Sequence, residues 1–185
     1  MPATGFPYRS IPMGWFQVGW SAELAPGDVR PMHYFGVDLL MFRTSSGKVV
    51  VLDAHCPHMG AHLGYGGCVE GESIACPYHG WQWGTSGECV LVPYSAKASQ
   101  ARMRSWPVEE VGGLIMVWHH PQGEAPAWTL PEIPEASDPG YYPITKDCWQ
   151  HWANLQMPAQ LVSENAVDPV HFKYVHKNSD IGTCV

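Results

Sequence analysis

Two short clusters of cysteine and histidine narrow the range of folds open to this chain more than any other feature. One residue separates Cys56 from His58, and Cys76 and His79 follow after residues 59–75. Each cluster thus places one thiol and one imidazole within a few residues of each other. Two thiolates and two imidazoles from two loops form a four-ligand metal site. The chain must therefore fold so that both loops meet.

The ligand pattern favours an iron–sulfur cluster over zinc. Zinc often binds two Cys and two His, but zinc-finger spacing pairs Cys with Cys and His with His. Here each loop supplies one of each, which matches a [2Fe–2S] cluster with both Cys on one iron and both His on the other. The imidazoles raise the reduction potential to roughly −150 to +300 mV, which suits one-electron transfer. Zinc remains the alternative interpretation of these four residues.

Residues beside the ligands are expected to shape the binding loops. A proline follows each cysteine and stiffens its loop. Gly60 and Gly80 follow the histidines closely, so the backbone can approach a cluster and offer N–H groups to its sulfides. Trp81 and Trp83 are expected to pack behind the second loop and to keep water away.

Short apolar runs broken by turn residues predict an antiparallel β domain over about residues 10–120. A strand is expected at residues 73–76. Three hairpins are expected, with arms at 37–42 and 48–52, at 81–83 and 88–92, and at 104–108 and 114–119. Nine Trp, seventeen Pro and nineteen Gly favour a turn-rich β protein over a helical bundle.

Charge and the start of the chain limit the partners and the location. The net charge of −7 argues against a nucleic-acid partner, because phosphate binding needs clustered basic residues. Residues 1–5 show no signal-peptide pattern, and no apolar run is long enough to span a membrane. We therefore expect a cytoplasmic protein. Its other cysteines are expected to be buried or free thiols, namely Cys68, Cys89, Cys148 and Cys184.

A second candidate metal site lies near the end of the chain. Asn165, Asp168, His171 and His176 form the pattern N-x-x-D-x-x-H-x-x-x-x-H. Two His with a nearby carboxylate suggest a non-haem iron site with open positions for O₂. Taken alone, two His five residues apart in a helix are more often structural.

The helical pattern of residues 163–176 constrains this second site. Because Pro169 is tolerated in a first turn, regular helix is expected to start near Asp168. Because His171 and His176 are five residues apart, their rings point about 140° away from each other on an ideal helix. A bulge or a helix end near His176 is then required for both to reach one metal. Asp168 shares a face with His171 and can hydrogen-bond its imidazole.

With both motifs in view, the chain resembles the terminal oxygenase component of Rieske non-haem iron oxygenases. The segment CPHMGAHLGYGGCVEGESIACPYHGWQWGTSGECVLVPY is especially similar to the steroid-acting branch. That branch includes 3-ketosteroid 9α-hydroxylases and cholesterol 7-desaturases, and Met59 after His58 and LVPY at residues 91–94 support it. The segment ENAVDPVHFKYVH looks like the catalytic helix of the family.

The resemblance implies a mainly β Rieske [2Fe–2S] domain followed by the beginning of an α+β helix-grip catalytic domain. The implied parts are the Rieske domain at 10–120, a Pro-rich linker or covering segment with the entry to the next domain at 121–160, and the start of the catalytic domain at 161–185. The implied ligands are Cys56, His58, Cys76 and His79 for the cluster and His171 and His176 for mononuclear Fe(II). Asn165 would lie close to that iron. Asp168 would bridge electron transfer between subunits of a homotrimer.

The resemblance also implies the reaction and its partners. An NADH-dependent ferredoxin reductase would supply electrons, and Fe(II) would activate O₂ to hydroxylate a steroid or similar polycyclic substrate. The third iron ligand of the family is a carboxylate far downstream, and Asp180 is too close to His176 to replace it. We therefore expect an N-terminal fragment with an incomplete oxygenation site. The alternatives are a Rieske ferredoxin-like electron carrier and an aromatic-ring-hydroxylating dioxygenase.

Overall fold

The computed structural model describes residues 11–142, 145 and 159–177, with the side chains of 159 and 160 excepted. Contacts divide the chain into two units, Met1–Cys148 and Trp149–Val185. In the described part, the first unit consists of strands and two 3₁₀ turns, and the second contains two short helices. Neither helix is long and apolar enough to cross a bilayer, nor is any other helix in the described residues.

The strands of the first unit form three antiparallel sheets. In chain order the strands are β1 Gly14–Trp20, β2 Val29–Tyr34, β3 Val37–Arg43, β4 Val49–Asp53, β5 Cys68–Glu70, β6 Ser73–Ala75, β7 Gln82–Gly84, β8 Cys89–Leu91, β9 Ser105–Trp106, β10 Val108–Val111 and β11 Leu114–His119. The sheet orders are β1-β11-β10, β2-β3-β4-β9 and β5-β6-β7-β8. The 3₁₀ turns are Ser21–Glu23 and Pro134–Ala136.

The sheet β2-β3-β4-β9 lies at the centre because both faces of β3 and β4 are buried. Leu40 and Leu52 belong to a core shared with β6, β7 and the metal-binding loops. Leu39 and Val51 belong to a second core shared with β1 and β11. Strands covered on both faces are apolar along their whole length instead of alternating. This explains the continuous apolar runs in β3 and β4.

The structure confirms the first two predicted hairpins and the strand near residue 73, and it shifts the third hairpin. The partner of β11 is β10, whereas residues 105 and 106 form β9 and pair with β4. Pro107 separates the two strands, since a residue without an N–H cannot continue a ladder. The Trp106 indole N–H donates to Asp53 Oδ1 at 2.8 Å, which fixes β9 to the end of β4.

The Pro-rich segment from residue 121 to 142 is an irregular covering segment. Two indole N–H groups of the first sheet hold it: Trp15 donates to Trp128 O at 3.0 Å, and Trp118 donates to Glu124 O at 2.9 Å. The Trp118 and Trp128 rings meet edge to face at 4.6 Å. The segment is therefore packed against the sheet.

The two helices of the second unit are α1 Ala159–Ala166 and α2 Pro169–Tyr174. Asp168 caps α2, because its Oδ1 accepts from Val170 N at 2.9 Å, and Pro169 occupies the first turn. The predicted helix start near Asp168 is thus confirmed. The predicted helical segment 163–176 is interrupted at residues 167 and 168, and its first residues belong to α1, which begins earlier, at Ala159.

A partly buried ion pair joins the central sheet to the β1-β11-β10 sheet. Arg43 is 9% exposed, and its Nη2 and Nη1 lie 2.8 and 3.1 Å from the two carboxylate oxygens of Glu110. Its remaining donors bind the carbonyl oxygens of Ser21, Leu24 and Gly47. Burial disfavours ionisation of Glu110, but hydrogen bonds from Arg43 and Ser21 outweigh it and lower the pKa. The pair is therefore charged and fully hydrogen-bonded at neutral pH.

We predict that Arg43→Met lowers the free energy of unfolding by about 3 kcal/mol, because it leaves Glu110 as an unpaired, partly buried charge. Urea denaturation at pH 7, followed by tryptophan fluorescence, measures the change. Arg30→Met is the matched control, since Arg30 pairs with Glu23 at 3.2 Å with side chains 38% and 28% exposed. The free energy of unfolding of Arg30→Met should fall by less than about 1 kcal/mol. Equal losses in the two variants would contradict the prediction.

We also predict that the stability advantage of the wild type over Glu110→Gln depends on pH. The folded-state pKa of Glu110 lies below the ordinary value of 4.5, so the contribution is complete above pH 4.5. It declines as the pH falls from that value through the folded-state pKa. Urea denaturation of both proteins between pH 7 and pH 3 provides the measurement. An advantage that does not decline over this range rules out the assigned ion pair.

Candidate metal centres

The first Cys/His cluster lies on the loop between β4 and β5. Cys56 N donates to Ala61 O at 2.9 Å, and Gly60 N donates to Cys56 O at 2.8 Å. Gly60 has a φ of +73°, a conformation that favours glycine. Leu63 N donates to Ala54 O at 2.8 Å and anchors the loop to the end of β4.

The loop between β6 and β7 carries the second cluster and repeats the same turn. Cys76 N donates to Trp81 O at 2.8 Å, and Gly80 N donates to Cys76 O at 2.9 Å. Gly80 has a φ of +69°. The N–H groups of Gly60 and Gly80 bind cysteine carbonyls, so hydrogen bonds to sulfides would have to come from other N–H groups of the two loops. The glycines instead allow the turn itself.

The two loops bring thiol to thiol and imidazole to imidazole. Cys56 and Cys76 are 2% and 4% exposed and belong to one core. His58 is half-buried and His79 is exposed, and their rings meet at 4.7 Å with an interplanar angle of 72°. The thiols therefore lie on the core side of the site and the imidazoles on the solvent side.

The environment of the Cys56 thiol raises its pKa. Burial is the largest cause, and the neighbouring Cys76 thiol adds to it. The His58 backbone N–H and the Trp83 indole act in the opposite direction but are weaker. The thiol is therefore protonated in the protein alone, and a metal would have to displace that proton to bind the thiolate.

Two tryptophans pack against the site, as predicted, but in different ways. The Trp81 ring is stacked on His58 at 4.4 Å and nearly parallel, and its Nε1 donates to Tyr94 Oη at 2.5 Å. Trp83 is completely buried, and its ring centroid is 6.0 Å from that of Trp81. The role of Tyr94 in holding Trp81 is not evident in the sequence, since residues thirteen apart carry no local pattern.

The residues present fit a binuclear group better than a single ion. His58 Nδ1 is buried and has no hydrogen bond partner among the described residues, so it is available as a ligand atom. Within residues 11–142, 145 and 159–177, no three Cys, His, Asp or Glu side chains gather so as to hold one metal ion. A pair of thiols beside a pair of imidazoles instead matches a [2Fe–2S] cluster with one ligand pair on each iron.

At the second candidate centre, the His171 imidazole in α2 uses one ring nitrogen in a hydrogen bond and leaves the other available as a ligand atom. Its Nδ1–H donates to the backbone carbonyl of Asp168 at 2.6 Å, which leaves the lone pair on Nε2. That Nε2 atom is buried and has no hydrogen bond partner in the part of the chain that the structure describes. The carbonyl therefore sets the tautomer that a metal-binding imidazole requires.

The end of α2 brings His176 near His171. The helix ends at Tyr174, so His176 lies beyond its last turn, and the two ring centroids are 5.3 Å apart. Phe172 packs 4.2 Å from the His171 ring. The expected helix end thus overcomes the unfavourable spacing of five residues.

Asp168 contacts His171 differently from the prediction. The carboxylate caps α2 through Oδ1, and its Oδ2 lies 3.9 Å from His171 Nδ1. The backbone carbonyl, and not the carboxylate, therefore makes the hydrogen bond to the imidazole. Asn165 lies in the last turn of α1, where its backbone oxygen accepts from Asp168 N at 3.4 Å. Asp180 lies outside the described residues.

Two of the remaining cysteines lie in the described residues and are free thiols, as predicted. Cys68 is exposed on β5 and Cys89 is buried on β8. Cys148 and Cys184 lie outside the described residues.

Known families match both parts of the chain. The Rieske [2Fe-2S] domain matches residues 14–120, and the 3-ketosteroid 9alpha-hydroxylase C-terminal domain matches residues 117–183. Cholesterol 7-desaturase nvd 1 of Ciona intestinalis is 40% identical over 90% of this chain and 35% of its own length. The probable 3-ketosteroid-9-alpha-monooxygenase, oxygenase component, of Rhodococcus rhodochrous is 39% identical over 93% of this chain and 43% of its own length.

A solved structure has the same fold over most of the chain. Dicamba monooxygenase bound to dicamba gives a TM-score of 0.69 at 27% identity and covers 89% of this chain and 48% of its own. The chain spans less than half the length of each of these relatives. The Rieske match alone covers more than half of the chain. The chain therefore belongs to the Rieske [2Fe–2S] family.

Proposed function

We propose that the protein acts as the oxygenase component of a Rieske-type monooxygenase on a steroid or similar polycyclic substrate. The observation that carries the proposal is the presence, in one chain, of paired thiols beside paired imidazoles and of a tautomer-fixed His171 near His176. A pure electron carrier needs only the paired thiols and imidazoles and has no use for His171 and His176.

Each set of ligand side chains has a separate task. Cys56 and Cys76 bind one iron of a [2Fe–2S] cluster as thiolates, and His58 and His79 bind the other as neutral imidazoles. His171 and His176 bind a mononuclear Fe(II). When bound, the [2Fe–2S] cluster would supply one-electron transfer, and the mononuclear iron would supply O₂ activation.

Other side chains keep the ligands in position. Trp81 covers one face of the His58 ring, and Tyr94 holds Trp81 in place. The Asp168 carbonyl keeps the proton on His171 Nδ1, which leaves Nε2 free for iron. The Asp168 side chain is 53% exposed. In a homotrimer its carboxylate would bridge electron transfer from the cluster of a neighbouring subunit, and Asn165 would lie near the iron.

The overall reaction defines the partners. Hydroxylation of R–H by O₂ consumes two electrons and two protons and yields R–OH and H₂O. NADH and H⁺ supply these through a separate reductase, and NAD⁺ is released. The 3-ketosteroid and cholesterol named for the relatives identify the substrate class to test first. Hydroxylation adds one oxygen to the substrate, whereas desaturation removes two hydrogens, so product mass distinguishes the two reactions.

We predict that Cys56→Ser abolishes the [2Fe–2S] cluster, because a serine hydroxyl does not replace a thiolate on iron. After anaerobic reconstitution, the wild type should contain iron and acid-labile sulfide. On dithionite reduction it should show an average g value below that of an all-Cys cluster. Cys68→Ser is the control, since Cys68 is an exposed free thiol, and it should retain the signal. A colourless wild type that binds zinc and lacks labile sulfide would disprove cluster binding.

We predict that replacing both His171 and His176 with Ala removes oxygenation and leaves the visible spectrum of the cluster unchanged. The assay follows NADH- and O₂-dependent product formation from a 3-ketosteroid and from cholesterol by the protein with a matched reductase. His33→Ala is the control, because His33 is an exposed residue that contacts Asp38 at 2.7 Å. Unchanged turnover in the double variant would support the electron-carrier alternative instead.

A further inference from the structure

His62 lies at the neck of the loop that carries Cys56 and His58, where residues 55 and 62 meet. His55 and His62 face each other as an antiparallel bridge outside the named strands. The two backbone hydrogen bonds that flank this bridge are 2.9 and 2.8 Å long. Residues 55–62 therefore form a closed loop, and the positions of the first two ligands depend on its neck.

The His62 imidazole packs tightly at this neck. Gly64 N donates to its Nδ1 at 3.1 Å. A Cβ at Gly64 would lie 2.8 Å from His62 Cε1 and 2.8 Å from Cβ of Pro31 on β2, so the chain has no room for a larger residue there. The Tyr65 and His55 ring centroids lie 4.6 and 5.1 Å from that of His62. The imidazole is therefore held on several sides.

The hydrogen bond from Gly64 requires a neutral imidazole. A backbone N–H can donate to Nδ1 only when that atom carries no proton, which places the proton of the neutral ring on Nε2. An imidazolium carries a proton on both nitrogens and cannot accept. Protonation of His62 therefore leaves the Gly64 N–H without its acceptor.

The groups around His62 favour the neutral form on balance. Burial is the largest cause that lowers the pKa of His62 below its ordinary value of 6.5, and the nearby His55 adds to it. The Asp38 carboxylate on β3 acts in the opposite direction but does not cancel the shift, and it is paired with His33 at 2.7 Å. Tyr65 is a further titratable side chain whose ring contacts His62.

We propose that neutral His62 is a positioning residue that keeps the loop of Cys56 and His58 closed, and that its protonation loosens this loop and weakens retention of the [2Fe–2S] cluster. The inference rests on the proposed cluster binding by this loop. Because the folded-state pKa of His62 lies below 6.5, its contribution is complete above pH 6.5 and declines as the pH falls through the folded-state pKa. A ligand loop that opens more often loses its metal more readily.

The test measures the rate of cluster loss between pH 7.5 and pH 5 as bleaching of the visible spectrum by an iron chelator without O₂. Each rate is divided by the rate of the same protein at pH 7.5. His62→Asn keeps an acceptor, because an asparagine side chain can bond the backbone two residues on, and it cannot be protonated. Below pH 6.5 the wild-type ratio should rise about fivefold above that of His62→Asn, as expected for the loss of one hydrogen bond.

Two further variants separate titration from packing. His62→Phe keeps a ring and removes the acceptor, so it should lose the cluster about fivefold faster than the wild type at pH 7.5 and show the pH profile of His62→Asn. His33→Asn is the matched control, since it removes another imidazole beside Asp38, and its profile should follow the wild type. Coincident profiles of the wild type and His62→Asn, or loss of the wild-type profile in His33→Asn, overturn the inference and leave cluster binding intact.

A second measurement needs no variant. Hydrogen–deuterium exchange at the imidazole C2 position, followed by mass spectrometry of the cluster-loaded wild type, reports the protonation of His62 as a function of pH. The pKa of His62 should lie below 6.5, and a value of 6.5 or higher overturns the inference. A wild-type chain that holds no cluster after reconstitution overturns the proposed function and this inference together.

Discussion

The backbone hydrogen bonds that close the two metal-binding turns are the constraint on which the site depends. Cys56 and Cys76 each donate to the residue five positions later and accept from a left-handed glycine four positions later. The turns are therefore alike although His58 is two residues and His79 three residues after its cysteine. This one-residue difference places the imidazoles at different points of equivalent turns, and their planes meet at 72°.

Burial separates the ligands by type. The thiols lie in the core between the central sheet and the β5–β8 sheet, whereas the imidazoles lie toward solvent. A buried thiolate without a counter-charge is unfavourable, which explains the raised pKa of Cys56. Metal binding would supply the missing charge, so assembly of the centre and ionisation of the thiols are coupled. At the second candidate centre, a hydrogen bond to a backbone carbonyl fixes the tautomer of His171.

Much of this arrangement could be predicted from local sequence patterns. The Cys/His spacing, two hairpins and the start of α2 at Asp168 follow from turn, strand and capping preferences. The structure differs from the predictions where contacts between residues distant in the sequence determine the arrangement. Trp81 and Trp83 both belong to the segment WQW, yet Trp81 lies before β7 and donates to Tyr94, whereas Trp83 lies on β7, is completely buried and has no hydrogen bond partner among the described residues. Likewise, the pattern could not show that capping uses the Asp168 carboxylate and leaves the carbonyl to His171.

The outward side chains of the two turns are not needed to close them. Met59 and Tyr78 are 66% and 68% exposed, and the hydrogen bonds that define each turn use only main-chain atoms. These two positions can therefore change in size or polarity without moving the cysteines. A substitution at either position would change the surface that an approaching molecule meets and would leave the main-chain hydrogen bonds of the turn intact.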